Sequence, residues 1–167
     1  PDPVDVATIE KAVAIAQKSP STCNRQGTIV HAVQDRETIV ALLALQTGNR
    51  GFGHLIDKLL VVTSDVRVFS TEREINCPYI DAGMFAMSLL YALHFCGLGA
   101  CTLNWNATAK KDRRFRALAG IPDNEAIVVL IGTGNIPDRL KVPSSQRKPP
   151  GEILHVHPLR DSDAGRP

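Results

Sequence analysis

Between Pro78 and Gly97 the chain runs PYIDAGMFAMSLLYALHFCG, apolar nearly all round and interrupted only by Asp81, Gly83, Ser88 and His94. A helix with this composition needs cover on more than one side. Its length approaches the ~20 apolar residues of a membrane span. The polar interruptions, and a strand pattern that follows without flanking basic loops, argue against insertion. The expectation is a central helix buried partly by its own core and partly by a second subunit. Composition agrees with a globular reading: 167 residues, 44% hydrophobic and 22% charged, suit a single domain and not a disordered chain.

The 19 Lys+Arg against 17 Asp+Glu leave a net charge of +2. This balance points to neither nucleic acid nor an anionic membrane as partner. Aromatic residues at 5% leave little for stacking single strands. Basic residues do gather late in the chain, at Arg139, Lys141, Arg147 and Lys148, which allows a local anion site. Cys23, Cys77, Cys96 and Cys101 are widely spaced, with no Cys-x-x-Cys pair. With no signal peptide in view they read as reduced thiols of a cytoplasmic protein. No metal site is expected, and His155-x-His157 reads as two surface histidines on one strand face.

Helical spacing is expected over Asp5 to Lys18, then an irregular loop from Ser19 to Gln26, ended by the breakers around Pro20. Thr28 to Val33 reads as a strand and Asp35 as the cap of a helix through Leu45. Thr47 to Gly53 is a glycine-punctuated loop, and Leu59 to Thr63 a strand buried on both faces. After the apolar helix come a strand at Gly99 to Leu103, a helix with a basic outer face at Ala107 to Ala119 and a buried strand at Ala126 to Gly132. From Pro137 the chain turns Pro-, Ser- and Lys-rich and regains strand character only at Glu152 to Val156. This divides it into a core, residues 1–136, and an extended arm of the same domain, residues 137–167. Helices alternating with strands, but with the last strand detached, predict a mixed sheet covered by helices.

Gly97-x-Gly99 and Gly132-x-Gly134 lack the third glycine of a dinucleotide fingerprint, and no Walker motif, Gly-x-Ser-x-Gly elbow or His-Glu-x-x-His is present. Taken alone, Ser19-Pro-Ser-Thr-Cys-Asn-Arg-Gln26 reads as a helix end and a polar turn. Its company changes that. Asp81-Ala-Gly-Met lies in the apolar helix, Gly97-Leu-Gly-Ala-Cys-Thr-Leu-Asn-Trp105 follows it, and Gly120-Ile-Pro-Asp precedes a buried strand ending Ile131-Gly-Thr-Gly134. In this order, from about residue 5 to 157, the segments resemble the nitroreductase-like FMN flavoproteins.

The resemblance implies an α+β fold, a three-layer α/β/α sandwich with a mixed sheet and a C-terminal strand exchanged between subunits. It also implies an obligate homodimer with two FMN sites at the subunit interface. Carried over residue by residue, Pro20, Ser21, Asn24 and Gln26 match the loop that approaches the flavin. Neutral amides and hydroxyls there satisfy ring carbonyls and nitrogens without adding charge. Thr102, Leu103 and Asn104 match the stretch along the other flavin face, where a main-chain N–H is the working group. Arg147 and Lys148 match the basic position that holds the FMN phosphate. No separate catalytic residue is implied, because the cofactor carries the hydride.

Two departures stand out. The family's arginine-rich segment before the first helix has no counterpart in residues 1–5, and a chain starting at Pro1 predicts a natural N-terminus further upstream. Gly27-Thr28 replaces the family's usual Pro-Trp. The function implied is an FMN-dependent NAD(P)H oxidoreductase reducing an electron-poor acceptor by a ping-pong cycle. The alternative is a catalytically silent or specialised flavin-binding dimer.

Overall fold

The computed structural model describes residues 3–139, 141–142 and 144–157. The chain forms two compact units, Pro1–Pro137 and Asp138–Pro167. The first unit alternates α1 (Val6–Ala16), β1 (Thr28–Val33), α2 (Arg36–Leu43), β2 (Lys58–Asp65), α3 (Cys77–Phe95), β3 (Leu98–Asn104), α4 (Ala109–Ala119) and β4 (Glu125–Asn135). α1, α2 and α4 start where a side-chain oxygen takes a free main-chain N–H, whereas α3 starts with Pro78 in its first turn. Asp5 accepts from Ala7, Asp35 from Thr38 and Thr108 from Lys111. The two hydrogen bonds from Thr38 hold the Asp35 carboxyl below its ordinary range. α4 stops at Gly120, whose φ of 66° is one that glycine adopts freely.

The sheet has the order β1-β2-β4-β3. A mixed sheet was expected, but all three pairings among the described residues are antiparallel. A parallel neighbour could come only from a further strand, and residues 152–156, the candidate, form none in the single chain.

β2 shows why the fold has three layers. Leu60 and Val62 face a cluster built with Ile9 and Ala12 of α1 and Phe85, Leu89 and Leu93 of α3. Leu59 and Val61 face the opposite cluster, with Ile39 and Leu42 of α2 and Phe115 of α4. Period-two alternation on a strand covered on both sides therefore produces an α/β/α sandwich.

The apolar helix α3 uses its surface unequally. Ala82, Phe85, Ala86, Leu89, Ala92 and Leu93 are buried, whereas Tyr79, Ile80, Met84, Met87, Tyr91 and Phe95 are exposed. From Ile80 onward the exposed set recurs every three or four residues and forms one continuous stripe, with Tyr79 beside its first turn. No helix among the described residues is long and apolar enough to cross a membrane.

The second unit, taken by itself, contains the short 3-10 turn Pro150–Glu152, closed by Ile153 N–H donating to the Pro150 carbonyl at 3.0 Å. Ile153, Leu154 and Val156 are exposed. Strand character expected over 152–156 is absent here because a strand exists only by pairing, and the adjacent prolines start a turn instead. Residues 158–167 of the expected arm lie outside the described residues.

Candidate functional site

The loop leaving α1 is held along α3 and the turn before it at three points. Ser19 Oγ donates to Ser88 Oγ at 2.7 Å. Asp81, 3% exposed, accepts from Thr22 N–H at 2.8 Å and from Thr22 Oγ1 at 3.0 Å. Arg25 pairs with Glu74 at 2.7 Å. The loop contacts step by three residues while their partners step back by seven. For the first step the geometry is simple: three extended residues cover ~10 Å, and seven residues of α-helix rise ~10.5 Å. Two of the polar interruptions in the apolar helix, Asp81 and Ser88, therefore hold the loop. Glu74 also accepts from the main chain of Ser70 and Thr71. The Ser70 N–H in the first place, with burial opposing and Arg25 adding, keeps its carboxyl below the usual carboxylate range.

Between these anchors the backbone is strained. Cys23, Asn24 and Gln26 have φ values of 49°, 55° and 53°, the left-handed region that costs a non-glycine residue roughly 1 kcal/mol each. Ser21 holds the loop shut, its Oγ accepting Gln26 N–H at 3.1 Å and its carbonyl accepting Asn24 N–H at 2.9 Å. Pro20, Asn24 and Gln26 are exposed, and Ser21 is half-buried. Gly27 then passes so close to the following turn that a Cβ would lie 2.7 Å from Val68 Cγ2. This is the physical reason for glycine where the resembling family places a larger residue.

The other expected segment ends β3. The Leu103 side chain is buried among α2 and α4 residues, so only its main chain faces outward. Thr102 and Asn104 are exposed. As an edge strand, β3 keeps main-chain donors that β4 does not take. Trp105 pins the exit: its Nε1 donates to Asp112 at 2.8 Å and its ring lies 4.3 Å from that of Phe115. Burial raises the Asp112 carboxyl, but the bonds from Trp105 and Arg116 prevail and lower it.

The sheet register relates the two segments. Thr28 pairs with Ser64 and Ser64 with Ala126, while Asn104 pairs with Val129. The loop exit and Asn104 thus lie toward the same end of the sheet but on opposite edges, separated by three strand spacings, ~14 Å across the sheet, and by a further ~10 Å along it from Ala126 to Val129. Within one chain they do not meet. Arg147 and Lys148 belong to the second unit and are exposed. Arg147 Nη1 donates to the Ser145 carbonyl at 3.1 Å, and Lys148 lies 4.0 Å from Glu152.

Sequence reasoning missed Gln46, whose buried carboxamide donates to Asn104. A lone glutamine before a glycine-rich loop carries no pattern that separates it from a surface residue. Among the described residues no cluster of three or more His, Cys, Asp or Glu is arranged to hold a metal.

A chain with this sandwich, and with neutral amide groups displayed at one end of its sheet, has the build of a three-layer α+β protein. A profile of the Nitroreductase family matches residues 43–135, and the chain belongs to that family. No curated protein matches its sequence. Among solved structures it is similar to a nitroreductase family protein from Streptococcus pneumoniae, with a TM-score of 0.79 and 20% identity, covering 93% of this chain and 92% of that one. A protein from Parabacteroides distasonis, assigned as an NADH dehydrogenase/NAD(P)H nitroreductase, gives 0.78 at 20% identity, covering 95% and 89%. An FMN-dependent nitroreductase from Clostridium difficile gives 0.75 at 19% identity, covering 95% and 91%. These likenesses establish the fold.

Proposed function

We propose that the protein is an FMN-dependent oxidoreductase that takes reducing equivalents from NADH or NADPH and passes them to an electron-poor acceptor, such as a nitro compound or a quinone, in two separate half-reactions. One observation carries this reading. Asn24, with a side chain that makes no hydrogen bond among the described residues, sits in a left-handed turn held by three anchors to α3 and the turn before it. Strain retained around an exposed, unused amide is the mark of a binding segment.

The groups present fit a flavin. Arg25 is neutralised by Glu74, so the loop offers Ser21, Asn24 and Gln26 as uncharged partners, suited to ring carbonyls and nitrogens. FMN, when bound, accepts hydride from the nicotinamide and delivers electrons to the acceptor. The chain's part is to bind and orient. Within the stretch Thr102, Leu103 and Asn104, the main-chain N–H groups turned away from β4 would supply fixed donors, and Arg147 and Lys148 are the candidates to supply charge for the phosphate.

A homodimer completes the site. The two segments lie on opposite edges of one sheet, so one subunit's loop would face the other's β3. The exposed stripe of α3 is the surface that supports pairing, since an apolar strip of this size is unusual on a lone domain. Residues 152–156 would then add as a strand to the partner's sheet. The assembly would function in the cytoplasm with its thiols reduced.

Full-length protein incubated with FMN should turn yellow, bleach on addition of NADH or NADPH, and recover colour with a nitroaromatic or quinone. Bound flavin that no nicotinamide reduces would favour the accessory reading, and absence of binding would remove the flavin reading altogether.

A further inference from the structure

Gln46 is 7% exposed, and its carboxamide has every hydrogen-bonding position occupied. Its Oε1 accepts from Gly48 N–H at 2.5 Å and from Asn49 Nδ2 at 3.1 Å. Its Nε2 donates to the main-chain carbonyl of Asn104 at 3.1 Å and to Asn104 Oδ1 at 3.3 Å. The orientation of this amide is decided by the backbone. A main-chain N–H can only donate and a main-chain carbonyl can only accept, so Oε1 must face Gly48 and Nε2 must face Asn104.

The same logic passes to the next residue. A donor at Gln46 Nε2 requires an acceptor opposite it, so the Asn104 side chain turns its oxygen inward and its NH2 outward. We infer that Gln46 is a positioning residue that locks Asn104 as a hydrogen-bond donor at the end of β3, giving the site a fixed polarity toward carbonyl acceptors of its ligand. The inference rests on the flavin reading for the ligand's identity but not for the lock itself.

The glycine-punctuated loop is shaped around this lock. A Cβ at Gly48 would lie 3.1 Å from Gln46 Nε2, and one at Gly53 would lie 2.7 Å from Asn49 Oδ1. Asn49 Nδ2 also donates to the carbonyls of Leu43 at 2.8 Å and Gln46 at 3.1 Å. Arg36 closes the far end, reaching the carbonyls of Ile56 at 2.6 Å and His54 at 3.0 Å. The loop therefore has little freedom to release Gln46, and glycine appears where the amides approach most closely.

Gln46→Glu is the informative change, since it keeps an acceptor for Gly48 and Asn49 but removes the donor toward Asn104. The Asn104 side chain relieves its oxygen–oxygen contact by reversing and presenting its oxygen outward, while the Asn104 main-chain carbonyl, which cannot reverse, loses its donor. FMN affinity is measured by flavin fluorescence on the full chain for wild type, Gln46→Glu, Asn104→Ala and the double variant. The expected result is a loss of about tenfold in Gln46→Glu, roughly 1.4 kcal/mol, and no further loss when it is added to Asn104→Ala. Losses that multiply in the double variant, or wild-type affinity in Gln46→Glu, would overturn the inference.

A second readout needs no flavin. By NMR, the Asn104 side-chain NH2 protons should exchange freely with solvent in wild type and become protected in Gln46→Glu. Unchanged exchange refutes the lock even in protein that binds no FMN, whereas loss of FMN binding by wild type refutes only the flavin reading.

Discussion

Two buried or half-buried aspartates hold chain segments at opposite ends of the molecule's central sheet, and they do so for different ends. Asp57, at the Lys58 end of β2, accepts the Val4 main-chain N–H at 2.8 Å and pairs with Lys58 Nζ at 2.7 Å. Lys58 is 7% exposed, and the segment it stabilises is relaxed and inward-facing. Asp81 likewise accepts a main-chain N–H, from Thr22, but the segment it holds is strained and displays polar groups outward. One clamp closes the fold. The other keeps a turn in a conformation that it would not choose alone. The contrast teaches that buried polar contacts at this molecule's surface loops are to be judged by what they leave unsatisfied nearby.

The comparison is tested most strongly by removing each clamp. Asp57→Ala leaves a buried lysine without its counter-charge and should cost about 3 kcal/mol, read as a lowered urea midpoint, with FMN affinity unchanged in the protein that remains folded. Asp81→Ala should cost less, about 2 kcal/mol for an unmet buried N–H and hydroxyl, yet weaken FMN binding tenfold or more in titration. If Asp57→Ala impairs flavin binding as severely as Asp81→Ala, the two ends do not differ in purpose.

Acid tests the Asp57 clamp. Burial raises the Asp57 carboxyl, but the bonds from Lys58 and Val4 outweigh it and lower it overall, as the Ser70 amide lowers Glu74. A carboxyl depressed on folding adds stability that is fully present above its unfolded value, about 4, and lost as pH falls through the folded one. The thermal midpoint should hold between pH 7 and pH 5, by about a degree, and fall below pH ~4. Asp57→Asn should make that fall shallower. The smallest effect belongs to Arg25→Met, which removes a partly exposed ion pair worth at most about 1 kcal/mol. Its signature is greater protease sensitivity of residues 22–26 without a measurable shift in the midpoint.

How much of this was readable beforehand follows from where the information lies. The layers were legible because α1, β2 and α3 bury side chains at their own periods, and Asp35 announces a helix start. Asp81 and Ser88 were visible as interruptions of an apolar helix, but not as the anchors of a loop that lies 59 and 69 residues earlier in the chain. The sheet's uniform antiparallel order was not legible, since direction depends on pairings among strands far apart in sequence. Neither was Gln46, whose role arises from a contact with β3 that no local pattern encodes.

The central pairing of the sheet has a consequence for the chain's birth. β2 finds its main neighbour in β4, with Val62 opposite Val129, and α3, β3 and α4 are threaded between them. On the ribosome, α3 emerges complete at Phe95 while the strand that finishes the sheet beneath it, starting at Glu125, is still unmade. The exposed stripe of that helix is then bare and its inner face has only α1 and β2 for cover, without β3 and β4, for seconds at ordinary translation rates. Nascent chains arrested between these points should engage chaperones that bind apolar helices, and release them once residue 135 has cleared the exit tunnel.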